Sequence, residues 1–144
     1  MQINYTRNTM SQTYRDALSI RQKVFVQGQG VPQNIEIDKD EAYRVHFVLY
    51  TNNQEAVATL RFLPKDDHLL YLQRMAVLNQ FQGNGYGKIL IEHALSFAKE
   101  QGFNEIILHA QLPAIGFYQK LGFETLGEEF EEAGIKHFNM KKML

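Results

Sequence analysis

At 144 residues the chain suits one domain, which at that size buries roughly 70% of the surface its unfolded form exposes; 44% hydrophobic against 22% charged residues is ordinary globular usage. Fifteen lysines and arginines against 16 acidic residues leave a net charge of -1, which gives no electrostatic reason to expect nucleic acid or an anionic membrane. With no cysteine, disulfides, thiolate metal sites and a cysteine nucleophile are excluded, and a reducing compartment is the simplest setting.

Residues 2–7 read as a first strand. Beyond Thr9 or Ser11, either of which can cap a helix, Tyr14, Ala17, Leu18, Val24 and Phe25 recur on one helical stripe with Arg21 on the same side, and GQGVPQ stops that helix with two glycines and Pro32. The acidic IEIDKDEA leads into RVHFVLYT, a β-rich run closed by a turn at Asn52 and Asn53. EAVATLRFL and HLLYLQRMAVL are two more strands separated by PKDD, so short turns predict an antiparallel meander of three. YGKILIEHALSFAKEQG reads as a helix, with Leu90, Ile91, Ala94, Leu95, Phe97 and Ala98 on a broad apolar face and Gly102 at its end. FNEIILHA adds a fifth strand, LPAIGFYQKLGF a short helix with Pro113 near its first turn and Gly122 after its last, and FETLGEEF with KHFNMKKM a closing hairpin around EEAG. No repeat, linker or low-complexity tract interrupts residues 1–144, which predicts one domain of mixed α/β class. The N-terminus has no apolar run of the secretion-signal kind and no later run approaches the roughly 20 residues that span a bilayer, so a cytoplasmic protein is expected.

Between the meander and its following helix lies QFQGNGYGK, residues 80–88, with Gly83, Gly85 and Gly87 at alternate positions. Glycines there let backbone amides approach a partner closely. A P-loop needs four residues between its glycines and a hydroxyl residue after its lysine, whereas three separate Gly83 from Gly87 and Ile89 follows Lys88. A dinucleotide fingerprint needs G-x-G-x-x-G in a first βαβ unit, and this loop reads G-x-G-x-G after antiparallel strands. A strand, a turn of exposed amides and a helix N-terminus can hold a pyrophosphate without either motif. On the loop alone, a glycine turn with no ligand stays open.

Downstream, AQLPAIGFYQKLGF, residues 110–123, puts Phe117, Tyr118 and Leu121 on the short helix. The two stretches together resemble the GNAT superfamily of acetyl-CoA-dependent N-acetyltransferases. That family's [QR]-x-x-G-x-[GA] pattern is met by Gln82, Gly85 and Gly87, and its A-x-x-F-Y-x-x-x-G-F pattern by Ala114, Phe117, Tyr118, Gly122 and Phe123. The order of strands and helices agrees over most of the chain. Small single-domain bacterial members also carry R-x-x-V-F-V and Q-G-V-P, met by Arg21, Val24, Phe25 and Val26 and then by Gln29, Gly30, Val31 and Pro32, with a late A-G-I-x-H met by Ala133, Gly134, Ile135 and His137. Gly28 departs from those relatives, which usually carry a glutamate there.

The resemblance implies a GNAT-like fold: a mixed, mostly antiparallel sheet flanked by helices, with a parallel strand pair, HLLYLQRMAVL and NEIILHA, splayed apart to admit coenzyme A. It implies that the backbone of Met75, Ala76 and Val77 pairs with the pantetheine arm like an added strand. The amides of Gln82, Gly83, Asn84, Gly85, Tyr86, Gly87 and Lys88 would take the pyrophosphate, with Phe117 also at the cofactor. Tyr118 would act as general acid toward the departing thiolate, although an aromatic packed on its helix is an alternative reading.

Some family members place a glutamate base on the strand before the glycine loop, where LQRM here offers Gln73, a neutral amide. The base is then sought among Glu36, Asp38, Asp40 and Glu41 of the acidic run and among His46, His109 and His137. His109 ends the strand bordering the cofactor and is the candidate catalytic base, with an ordinary strand histidine as the alternative. His137, in the late motif, is a candidate for the acceptor pocket, as is Arg21, which can orient an acidic group of the substrate or pair with the acidic run.

The expected activity is acetyl transfer to the amine of a small molecule such as an amino sugar, polyamine or amino-acid derivative, with acetyl-CoA as donor. A peptide or protein amine is an alternative acceptor. A non-catalytic acyl-CoA sensor is the alternative from another class, kept open by Gln73. No metal is expected, since the histidines are scattered and no helix carries a pair four residues apart. Neither nucleic acid nor membrane is an expected partner, while a homodimer through the last strand stays open.

Overall fold

The computed structural model describes residues 1–31 and 44–144. Pro32 and the acidic candidates Glu36, Asp38, Asp40 and Glu41 lie outside the described residues. Strand β1 (Gln2–Thr6) leads to helix α1 (Gln12–Arg21), which Ser11 caps by accepting a hydrogen bond from the Tyr14 N–H at 3.2 Å. Past Arg21 the helix widens into a π-helical stretch, Gln22–Gln27. That wider turn breaks the 3.6-residue stripe read from the sequence: Ile20 and Arg21 are buried, whereas Val24 and Phe25 are only half-buried and face a cavity.

The meander follows as β2 (Val45–Tyr50), β3 (Ala56–Pro64) and β4 (Leu69–Val77). A single 3-10 turn, Asn79–Phe81, then leads through the glycine loop into α2 (Tyr86–Glu100). The rest is β5 (Glu105–Gln111), a 3-10 turn at Leu112–Ala114, α3 (Ile115–Lys120), β6 (Glu124–Glu132) and β7 (Ile135–Met143). Among the described residues the seven strands form one sheet in the order β1-β2-β3-β4-β5-β7-β6. Only β4 and β5 run parallel; the other neighbours are antiparallel. The mixed, mostly antiparallel sheet expected from the sequence is therefore present. Among the described residues no helix is long and apolar enough to cross a membrane.

Side-chain alternation sorts the sheet into two apolar layers. Val45, Phe47 and Leu49 of β2 join Leu90, Ile91, Ala94 and Ala98 of α2 in the larger layer, while Val48 meets Ala17 and Ile20 of α1 on the opposite face. Truncating a fully buried member such as Leu90 to alanine is expected to cost about 2–5 kcal/mol. Phe97 fastens α2 to the strands through rings 4.8 Å from Tyr5 and 5.3 Å from Phe47.

Strand β4 carries the irregularity that shapes the site. Thr59 pairs with Ala76 and Arg61 with Gln73, so Arg74 and Met75 together oppose Leu60, and Arg74 takes a left-handed φ of 56°. The extra residue inverts the alternation. Before it, Leu70 and Leu72 face the α2 layer; after it, Met75 and Val77 do, and Ala76 turns to the α1 layer. The same bulge ends the parallel pairing, which runs from Leu69–Glu105 to Leu72–Leu108. Beyond that point β4 stays with β3, and β5 stays with β7 through Gln111–His137. The two strands part, as the resemblance implied.

Both helices beside this opening end on glycine in the same way. The N–H of Gly102 donates to Lys99 and that of Phe103 to Ala98, while Gly122 donates to Gln119 and Phe123 to Tyr118. With φ of 95° and 94°, the two glycines supply the left-handed residue this ending needs. In α3 the motif thus acquires a physical meaning: Gly122 turns the chain so that Phe123 packs back on Tyr118, their rings 5.8 Å apart.

Candidate active site

Two cavities, of about 340 Å³ and 530 Å³, meet where β4 and β5 separate. Met75, Ala76, Val77, Gln82, Ala114 and Tyr118 line both, so they form one continuous trough with two ends.

The larger cavity lies at the glycine loop. Gly83 and Gly85 have φ of 82° and 81°, and a Cβ built on either would meet nothing within 4 Å. These positions need glycine for conformation and leave the backbone uncovered. Gly85 is the N-cap of α2, with no side-chain cap and no acidic residue in the first turn. The first amides of a 15-residue helix therefore face this cavity with their partial positive charge unanswered by a side chain, an arrangement that suits an anion. Gly87 serves differently: a Cβ there would lie 3.2 Å from Met75 Cε and 3.4 Å from Phe117 and Val77, so its absence lets α2 close on β4.

Of the expected cofactor residues, Met75, Ala76, Val77, Gln82, Gly83, Gly85, Tyr86, Gly87, Lys88 and Phe117 all line this cavity. Asn84 does not; its side-chain amide donates to the Phe81 carbonyl at 3.1 Å and shapes the loop from outside. Gln82 donates to the Val77 carbonyl at 3.2 Å and so holds the loop to the end of β4. Lys88 sits 3.8 Å from Glu92 in an exposed pair one turn on, which holds the lysine only weakly.

Tyr118 stands at the junction, 6% exposed, its ring edge-on to Phe117 at 5.2 Å. Burial alone pushes its phenol far above the ordinary value of 10, so it keeps its proton throughout the neutral range. Its protonated ring stands between the two cavities.

The smaller cavity is walled by the π-helical stretch, the bulge, the end of β5 and the β6–β7 hairpin. Tyr71, Gln73, Arg74, His109, Gln111, Glu132 and His137 are its polar residues on the strands. The His109 Nδ1 lies 2.9 Å from Glu132 Oε2, and the His137 Nδ1 donates to the Ile135 carbonyl at 2.7 Å. The His109 N–H beside it, with further help from His137 and Arg74, holds the Glu132 carboxyl below its ordinary range despite partial burial. Phe130 stacks on His137 at 5.8 Å and meets His109 edge-on at 5.1 Å.

Gln73, a neutral amide at the position where some family members carry a glutamate, is committed elsewhere. Its Oε1 accepts from Nε of both Arg44 and Arg61, at 3.1 Å each. His46 is buried against the Tyr14 ring at 4.8 Å and lines neither cavity. Arg21 is 1% exposed, engaged with partners of its own, and likewise absent from both walls. The residues to which the sequence assigned no role at the site are Glu132, and Gln29 with Gln111, whose amides exchange hydrogen bonds of 3.1 and 3.0 Å between the segment just past the π-helical stretch and the end of β5.

A glycine-capped helix facing a parted parallel strand pair is an architecture for holding an extended, anion-bearing donor, and comparison with known proteins gives it a family. The acetyltransferase (GNAT) domain family matches residues 11–144. The chain belongs to that family, an acyltransferase class that draws its acyl group from acyl-CoA. It is 37% identical over 129 residues to the uncharacterized N-acetyltransferase YjcF of Bacillus subtilis, covering 89% of this chain and 91% of that one. A Lactobacillus plantarum crystal structure described as an N-acetyltransferase superposes with a TM-score of 0.90 at 30% identity, over 99% of this chain and 97% of the other. A GNAT acetyltransferase from Elizabethkingia anophelis, solved with acetyl-CoA bound, shares the fold with a TM-score of 0.73 at 18% identity, over 99% and 97% of the two chains.

Proposed function

We propose that this protein transfers the acetyl group of acetyl-CoA to the primary amine of a small molecule, such as an amino sugar, polyamine or amino-acid derivative, in the cytoplasm. The observation that carries the reading is the trough itself: a backbone-lined anion cradle at one end, a buried protonated Tyr118 at the middle and a histidine-bearing pocket at the other. The uncovered helix N-terminus at Gly85 fits a pyrophosphate, and the parted edge of β4 fits an extended amide-bearing arm.

In this reading the amides from Gln82 to Lys88 hold the pyrophosphate, with Phe117 beside it, and the Met75–Val77 edge holds the arm. Because Gln82 already takes the Val77 carbonyl, the pairing groups left on that edge come chiefly from Met75 and Ala76. Acetyl-CoA supplies a thioester whose carbonyl the amine nitrogen attacks and whose sulfur leaves as a thiolate. Tyr118 Oη holds the proton that this sulfur needs, within hydrogen-bond reach in the productive complex. His109 receives a proton from the incoming amine, and His137 lines the acceptor's side of the pocket.

The test is thiol release from acetyl-CoA across a panel of amino sugars, polyamines and amino-acid derivatives. At least one amine is expected to raise release well above the buffer rate. Coenzyme A binding with no amine-dependent release would mark a sensor instead.

A further inference from the structure

We propose that Glu132 is the positioning residue that makes His109, rather than His137, the acceptor's base; the inference rests on the acetyl-transfer reading and assigns its proton route. The register explains how they meet. Gln111 pairs with His137, and His137 with Phe130, so Gln111, His137 and Phe130 share one face of the sheet. His109 lies two residues before Gln111 and Glu132 two after Phe130, which puts both on that same face, opposite Leu108 and Met140 of the core. Phe130 fills the space between the rings, edge-on to His109 and stacked on His137.

The 2.9 Å contact then fixes a proton. An ionised carboxylate only accepts hydrogen bonds, so His109 Nδ1 must carry the hydrogen and Nε2 is left with the basic lone pair. His137 is fixed in the same tautomer by the Ile135 carbonyl, so tautomer does not separate the two. Charge and access do. The His109 side chain is 41% exposed where the His137 residue is 7% exposed, and an imidazolium at His109 would face a carboxylate where one at His137 faces a neutral carbonyl. Among the described residues the charged and titratable groups that act on Glu132 are His109 on β5, His137 on β7 and Arg74 on β4. Among the described residues no three His, Cys, Asp or Glu side chains are grouped to hold a metal.

The step balances simply. An acceptor arriving as R-NH3+ breaks one N–H bond, and the proton forms a bond with His109 Nε2. The products are R-NH2, with the lone pair that attack requires, and an imidazolium facing Glu132. Total charge is unchanged.

Two measurements on the full chain test this. In 15N-labelled protein at mildly alkaline pH, two-bond nitrogen–proton correlations, assigned with His109→Gln, should show the Nδ1–H tautomer at His109, replaced by Nε2–H in Glu132→Ala. An Nε2–H tautomer in the wild type, or no change in the variant, overturns the assignment. In thiol-release assays with acetyl-CoA, spermidine presents a protonated amine, whereas hydroxylamine is largely unprotonated at neutral pH and needs no base. Glu132→Ala and His109→Ala should each lose about tenfold more rate with spermidine than with hydroxylamine, and the double variant little more than His109→Ala alone. Equal losses with the two acceptors would leave Glu132 a structural tie and overturn the proposal. If wild-type protein releases thiol above the buffer rate with neither of these nor with any amine of the panel, acetyl transfer itself fails, and the tautomer measurement still decides whether Glu132 positions His109.

Discussion

The two ends of the trough are made of different material. At the glycine loop the groups suited to an anion are backbone, at left-handed Gly83 and Gly85, the uncapped first turn of α2 and the edge of β4, with the rings of Phe81, Phe117 and Tyr118 completing the wall. At the far end they are side chains drawn from β4, β5, β6 and β7, with the π-helical stretch closing over them. A backbone cradle depends on local chain geometry, so a short motif can encode it. A side-chain pocket depends on which strands become neighbours, which nothing local dictates.

Three substitutions sharpen this contrast. The largest effect is expected at the junction. Tyr118→Phe removes one hydroxyl from a buried ring and should lower turnover by about a hundredfold, while calorimetry finds coenzyme A affinity nearly intact. Unchanged turnover would remove the acid role from this residue. Next comes the backbone end. Gly85→Val places a β-branched residue at φ 81°, where an L side chain costs about 1–2 kcal/mol, and coenzyme A affinity should fall roughly tenfold although space for the side chain exists. An unaltered dissociation constant would separate the loop from the pyrophosphate.

The smallest effect tests the side-chain end through stability. Glu132 has a folded-state value below its unfolded one, so its contribution is present above the unfolded value, about 4.3, and is lost as pH falls through the folded value. Glu132→Gln should therefore lower the urea midpoint slightly at neutral pH and not at all at strongly acid pH. The group is half-exposed, so the difference should not exceed about 0.5 kcal/mol. A deficit that persists undiminished in acid would mean that packing, not the ion pair, is lost.

The same division governs what could be read from the sequence. Both glycine helix ends, the meander, the closing hairpin and the parted parallel pair were all legible, because each follows from a short pattern or from the family resemblance that patterns carried. The hairpin even specified part of the far end of the trough: a two-residue turn at Ala133 and Gly134, both at positive φ, sets Phe130 opposite His137. What it could not specify was that β7 inserts between β5 and β6, the long-range pairing that delivers His109 to the same face. Glu132 was invisible for that reason, lost in a run of glutamates that otherwise reads as solvated charge. The π-helical widening after Arg21 was missed because periodicity assumes 3.6 residues per turn, and it is what turns Val24 and Phe25 to the cavity.

The central claim is that the parted strands seat coenzyme A with its sulfur at Tyr118, between the backbone cradle and the histidine pocket. A crystal structure of the protein with coenzyme A tests it most directly. The account predicts the pyrophosphate on the amides from Gln82 to Lys88, the arm along Met75 and Ala76, and the sulfur within hydrogen-bond reach of Tyr118 Oη. Coenzyme A bound outside the trough, or its sulfur held away from Tyr118, would contradict it.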